Sequence, residues 1–113
     1  MRSRSKYHNK KTVVDGITFD SKREAERYSE LCYLKKAGII NRLTLQRKYK
    51  LLDPYVIDGK KKRGITYVAD FEYWDEEKDR WIVEDVKGFE TEVFKLKRKL
   101  FESKYGMEIM IIK

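Results

Sequence analysis

Apolar and polar positions change period several times along the chain, and each change marks an element. Between Thr12 and Phe19, Val13-Val14 and Ile17 to Phe19 flank Asp15-Gly16. Asp-Gly is a favoured pair for a tight type I′ turn, so a hairpin is predicted there. From about Lys22 to Ala37 the spacing lengthens: Ala25, Tyr28, Leu31 and Cys32 recur every three or four residues, with Leu34 a turn further on. That period predicts a helix with one apolar face. Ser21 caps its start, Glu24 completes a Ser-x-x-Glu capping box, and Gly38 serves as the C-cap.

Strands follow. Leu43 to Leu52 alternates in part and ends at Pro54. Lys60-Lys61-Lys62-Arg63 reads as a basic loop closed by Gly64, Ile65 to Trp74 as a strand, and Asp75 to Asp79 as an acidic turn. Trp81 to Lys87 is another strand, broken by Gly88. Thr91 caps a second helix that runs to about Ser103, with Val93, Leu96 and Leu100 as its apolar positions and Phe94 and Phe101 alongside. Met107 to Ile112 closes the chain as an apolar strand. Hairpin, helix, strands, helix, strand is the order of an α/β sandwich built around one mixed sheet.

Composition narrows the picture. A chain of 113 residues has room for a single domain, expected over 12–113. Residues 1–11 hold Arg2, Arg4, Lys6, Lys10 and Lys11 with no acid before Asp15, and read as a flexible basic arm. Lys and Arg number 27 against 19 acids, a net charge of +8 and a pI near 9.5, which favours a polyanionic partner such as nucleic acid. The lone Cys32 excludes an internal disulfide, and the lone His8, in the basic arm, argues against a His-based triad or a Cys/His metal site. Any metal must then be held by carboxylates, which suit magnesium or manganese. No apolar run approaches membrane-spanning length and no signal core follows the basic start, so a cytoplasmic location is expected.

Candidate chemistry gathers on two successive strands. Thr66-Tyr67-Val68-Ala69-Asp70-Phe71 carries one acid, and Trp81-Ile82-Val83-Glu84-Asp85-Val86-Lys87-Gly88 carries others. Side chains alternate along a strand, so Asp85 and Lys87 share a face while Glu84 points away. If the strands pair through the acidic turn, Asp70 approaches Asp85 across the ladder. Two such carboxylates at ~4 Å repel by roughly 1 kcal/mol in water and about 4 at an effective dielectric of ~20. A divalent cation between them removes that cost, and a lysine beside the ion suits phosphodiester hydrolysis. On a solvent-facing strand, however, Asp-x-Lys is also a common surface charge pair.

Taken together, Ser21-x-x-Glu24-Ala25 at a helix start, Tyr67-Val68-Ala69-Asp70-Phe71, and Asp85-Val86-Lys87-Gly88 before a Lys-rich helix resemble the PD-(D/E)XK nuclease superfamily. The chain is most similar to small phage endonucleases of that superfamily, the junction-resolving endonuclease I type among them, over Phe19 to Lys113. The resemblance implies a restriction-endonuclease-like three-layer sandwich, a mixed central sheet flanked by helices. It implies that Asp70 and Asp85 ligate magnesium with help from the Val86 carbonyl, and that Lys87 is the catalytic lysine. Glu24 would bind a second metal or orient water. Ala69 stands where the superfamily often has proline. Glu24 has a competing role as the capping-box acid; Glu26 and Glu84 are alternatives to it, and Gln46 is a weaker candidate near the site.

The DNA-contacting surface is expected from Arg42, Arg47, Lys48, Lys61, Lys62, Arg63, Lys95 and Arg98. Lys60, Lys97, Lys99 and the N-terminal arm add to it. By resemblance the substrate is branched or recombination-intermediate DNA, cut by a homodimer because a four-way junction needs paired cuts, inside a bacterial host cell if the chain is phage-encoded. A non-catalytic DNA-binding protein that keeps the fold, or a basic RNA-binding or assembly protein, are the alternatives. Neither needs two acids held together near phosphate.

Overall fold

A computed structural model of the protein describes residues 10–113. Of the basic arm, Lys10 and Lys11 are described and exposed; the remainder, with His8, lies outside the described residues. Strands β1 (Thr12–Val14) and β2 (Ile17–Phe19) pair antiparallel. Asp15 and Gly16 between them have φ of 52° and 75°, the two positive values a type I′ turn requires.

Helix α1 spans Lys22–Lys36. Ser21 Oγ accepts the Glu24 N–H at 3.1 Å, which satisfies one of the free donors of the first turn. Among the hydrogen bonds of the described residues the Glu24 carboxylate returns none to Ser21, so only half of the expected capping box forms. The helix ends in a Schellman motif: the Gly38 N–H reaches Lys35 O at 3.1 Å and the Ile39 N–H reaches Leu34 O at 2.9 Å. Ile39 and Leu34 then pack on the same core, which turns the chain directly into a strand.

Strand β3 (Ile40–Leu52) is followed by β4 (Tyr55–Ile57) and β5 (Lys60–Lys62), which pair as a two-stranded ribbon. The Lys60–Arg63 stretch is therefore not the simple basic loop that its run of cations predicts. Asp58-Gly59, with φ of 51° and 74°, closes a second hairpin by the same turn chemistry as Asp15-Gly16. At the base of the ribbon Gly64 has no room for a side chain, because a Cβ there would run into Leu52 O and Pro54 N.

β6 (Ile65–Asp75), β7 (Arg80–Val86), helix α2 (Glu92–Tyr105) and β8 (Ile109–Ile112) complete the chain. The main sheet has the order β3-β6-β7-β8. Its first two pairings are antiparallel, while β7 and β8 run parallel with α2 as the crossover between them. The molecule is thus α/β with one mixed sheet.

Neighbouring residues of β7 assign the two faces. Val83 packs with Tyr49, Tyr67, Ala69 and Ile109 against Phe94 and Phe101 of α2. Ile82 packs with Ile40, Phe71 and Tyr73 against Ala25 and Leu31 of α1. The buried stripe of α2 is centred on Phe94 and Phe101, and the expected core positions Val93 and Leu96 face solvent. Leu100 is only partly buried.

The main sheet has register shifts between Asn41 and Thr44 and between Lys50 and Leu52, and it also changes face once. Ala69 lies on the α2 face and Phe71, two residues on, lies on the α1 face, whereas unbroken alternation puts i and i+2 on one face. Across the ladder Leu45 and Tyr49 make the same exchange. The pairs Leu45↔Phe71 and Arg47↔Ala69 bracket the change, and Gln46 between them has φ of 55°. Both strands switch faces at Gln46 and Asp70.

Candidate active site

The β6–β7 ladder ends at Phe71↔Glu84, so the next position in register sets Asp70 against Asp85. There the strands separate. The Val86 N–H, which points toward β6, donates to Asp70 Oδ2 at 2.8 Å in place of a main-chain carbonyl. Because the alternation breaks at Asp70, its carboxylate turns along the sheet toward β7 instead of standing on either face. Asp85 is 3% exposed and lies on the α2 side, where its Oδ2 accepts the Tyr67 hydroxyl at 2.6 Å. Each acid therefore has Oδ2 engaged by a close protein donor. Gln46 Nε2 lies 3.4 Å from Asp70 Oδ1, and Lys87 Nζ lies 3.4 Å from Asp85 Oδ1. Lys87 also sits over the Phe94 ring, 4.8 Å from its centroid, which holds the ammonium against α2.

The electrostatics follow from this crowding. Burial, and after it the facing charge of Asp85, push the Asp70 carboxyl up to about 7; the Val86 N–H pulls the other way and Glu24 adds to the rise. Glu24, 7% exposed on the first turn of α1, is also raised, by burial first, then by Asp20 and Asp85, against an opposing pull from Lys87. Burial and the Asp85 charge drive the Tyr67 hydroxyl far above its usual range, so it keeps the proton it donates to Asp85. Such an acid pair is a poor resting place for negative charge and a good one for a hard cation.

The donor set suits magnesium. The two carboxylates, with the Val86 carbonyl on the β6-facing side of its strand, are hard oxygen donors of the kind that ion would take. Among the described residues no three His, Cys, Asp or Glu side chains gather as one ligand group, so Glu24 stands beyond the acid pair and not within it. A cavity of about 500 Å³ opens onto the site, bordered by Glu24, Asp70, Val86, Lys87 and Phe89. A larger one, about 670 Å³, lies between Trp74, Trp81 and Met107 to Met110, at the other end of β7 and away from the facing acids.

Of the other candidates, Glu84 is fully buried on the α1 side, where Arg27 grips it with Nε at 2.8 Å and Nη2 at 2.6 Å and Tyr73 also donates to it. It is structural. Glu26 pairs with Arg23 at 3.7 Å on the surface of α1. Arg42 borders a separate cavity with Asn41, Trp74, Glu76 and Trp81. Arg47 pairs with Glu72 at 3.1 Å, Lys95 with Glu92 at 3.5 Å and Arg98 with Glu90 at 3.0 Å, so these three charges have partners within the protein. Lys48 is exposed, as are Lys61, Lys62 and Arg63 on and beside the ribbon. Tyr67 does not stand out in the sequence. The available signal was its position two residues before Ala69 on a strand that carries a candidate acid.

Residues 4–112 match the model of a family described as "Protein of unknown function (DUF1064)". No curated protein and no solved structure matches the chain.

Proposed function

The chain belongs to the DUF1064 family, and we propose that it is a magnesium-dependent DNA endonuclease of the PD-(D/E)XK type. In this reading the α/β architecture is the restriction-endonuclease-like sandwich, and the substrate is branched or recombination-intermediate DNA. The observation that carries it is the meeting of Asp70 and Asp85 where β6 and β7 part, with Lys87 Nζ 3.4 Å from Asp85 Oδ1.

The geometry supports a role for each residue. Asp70 and Asp85, with the Val86 carbonyl, hold magnesium or manganese, which when bound polarises a phosphate oxygen and lowers the pKa of water. Tyr67 and the Val86 N–H hold the two acids in place through their Oδ2 atoms. Lys87 places a positive charge where the attacking oxygen and the phosphorane charge develop. Glu24, close enough to feel Asp85 and Lys87 yet outside the ligand pair, orients water or receives its proton. A homodimer supplies the two cuts that a four-way junction needs, in the cytoplasm of the cell where that DNA is found.

The test is incubation of the purified protein with junction, flap and linear DNA, with and without magnesium. Cutting that requires the metal is expected, with Asp85→Asn and Lys87→Ala binding DNA while losing at least about a hundredfold in rate. A wild-type protein that binds but never cuts favours the non-catalytic binder. Cutting by both variants at the wild-type rate removes these residues from the chemistry.

A further inference from the structure

Five phenylalanines occur in the chain, and four of them, Phe19, Phe71, Phe94 and Phe101, are 6% exposed or less. Phe89 is 68% exposed and belongs to neither core cluster. It borders the same cavity as Glu24, Asp70 and Lys87. The backbone that carries it is anchored on both sides. The Lys87 N–H is bonded to Ile112 O at 2.9 Å, Glu90 is held by Arg98 at 3.0 Å and by Lys113 at 3.8 Å, and Thr91 caps α2 by accepting the Phe94 N–H at 3.1 Å. The ring thus stands on a fixed base beside the acids with most of its surface open to solvent.

We infer that Phe89 is a stacking platform for an unpaired base next to the scissile phosphate, an inference that rests on the nuclease reading. Two residues of chain span at most about 7 Å between Cα atoms, and both side chains border the one cavity, so the ring stands beside a phosphate held near Lys87. A base within a duplex has both faces covered by its neighbours. Only an unpaired, frayed or flipped base offers a free π-face to the ring. Phe89 therefore selects DNA in which the nucleotide beside the cut is single-stranded, such as a flap or a branch point. Lys87 and the metal site handle the phosphate whatever the sequence, and the ring tolerates every base because each has a π-face.

The experiment compares the wild type with Phe89→Ala, Phe89→Leu and Phe89→Tyr on two substrates that differ only in whether the nucleotides beside the cut are paired. A second readout places 2-aminopurine at the first unpaired nucleotide of a flap and follows its fluorescence on binding in EDTA, where no turnover competes. Wild type and Phe89→Tyr are expected to quench the probe and to prefer the unpaired substrate in kcat/KM. Phe89→Ala and Phe89→Leu are expected to lose the quenching and between about 5-fold and 150-fold of that preference, the range found for base–aromatic stacking. The leucine variant keeps apolar area and lacks the π-face, which separates stacking from simple contact. Quenching and preference unchanged in Phe89→Ala overturn the inference. If the wild type cuts neither substrate in magnesium or manganese, the nuclease reading fails by itself. The quenching then decides alone: its loss in Phe89→Ala upholds the stacking role, and its persistence removes it.

Discussion

Asp70 is the residue on which burial, charge and backbone geometry converge. Burial, and after it the facing Asp85 charge, push its carboxyl up to about 7, against 3.8 for the unperturbed group. Between those values the folded form holds a proton that the unfolded chain has already released, so stability falls as pH rises through roughly 4 to 7. Without metal the protein is expected to melt at a higher temperature at pH 5 than at pH 8. Asp70→Asn should flatten that dependence, and magnesium at pH 8 should restore the melting temperature of the wild type while leaving that of the variant unchanged. Equal melting temperatures at the two pH values remove the electrostatic account of the acid pair. Tyr67 makes a second test at this scale. Tyr67→Phe keeps the buried ring among Tyr49, Phe94 and Phe101 and deletes only the donor to Asp85 Oδ2. With Asp85 a metal ligand, as proposed, losing the group that orients it should cost about 10–100-fold in metal affinity. Magnesium titrations of cleavage by Tyr67→Phe should shift by about that much with the fold intact.

At the scale of elements, helix α1 is fastened to the centre of the sheet by a buried ion pair. Arg27 on α1 meets the fully buried Glu84 on β7, and Tyr73 on β6 donates to the same carboxylate. Arg27→Ala leaves that charge without a cation, a change that typically costs about 3–5 kcal/mol. Urea denaturation should read the loss as a lower midpoint, and an unfolding free energy within about 0.5 kcal/mol of wild type contradicts the arrangement. Glu84 adjoins Asp85, so this pair also fixes the strand that carries the site. Gly64→Ala probes the ribbon in a similar way. A Cβ there meets backbone atoms of Leu52 and Pro54 that have no flexible end to give way, so both strands at the base must shift. With Lys60, Lys61, Lys62 and Arg63 displaced together, DNA binding should weaken about equally on all sequences, as expected for phosphate contacts.

For the whole molecule, the net charge of +8 sets the response to salt. The affinity for DNA should fall steeply between low and physiological ionic strength, log K against log[salt] having a slope of about −0.9 per phosphate neutralised on duplex. A flat line means that charge is not what binds. Arg47, Lys95 and Arg98 have carboxylate partners, so alanine changes at Lys48 and the ribbon should lower the slope more than changes at those three. Local pattern was enough to read much of this architecture. The Asp15-Gly16 turn, the Ser21 and Thr91 caps, the period of α1 and the shared face of Asp85 and Lys87 depend on residues a few positions apart, and their physics is local. The ribbon of β4 and β5 carried the same turn signal as the first hairpin, but four consecutive cations obscured it. Helix α2 presents two apolar stripes, and its sequence does not say which of them meets the sheet.

By itself the amino-acid order determined where helices begin and end, where hairpins turn, that any metal must rest on carboxylates, and that Asp85 and Lys87 face the same way. Tertiary structure alone decided that Asp70 leaves the alternation to meet Asp85, that Tyr67 and Val86 hold those acids, that Glu24 faces the cavity instead of its own cap, and that Arg27 neutralises Glu84 from 57 residues away. The reason is the range of the forces involved. Capping, turn strain and side-chain alternation act within a turn or a strand, whereas a break in sheet alternation and the sharing of buried charge depend on which distant strands come together and how far they part.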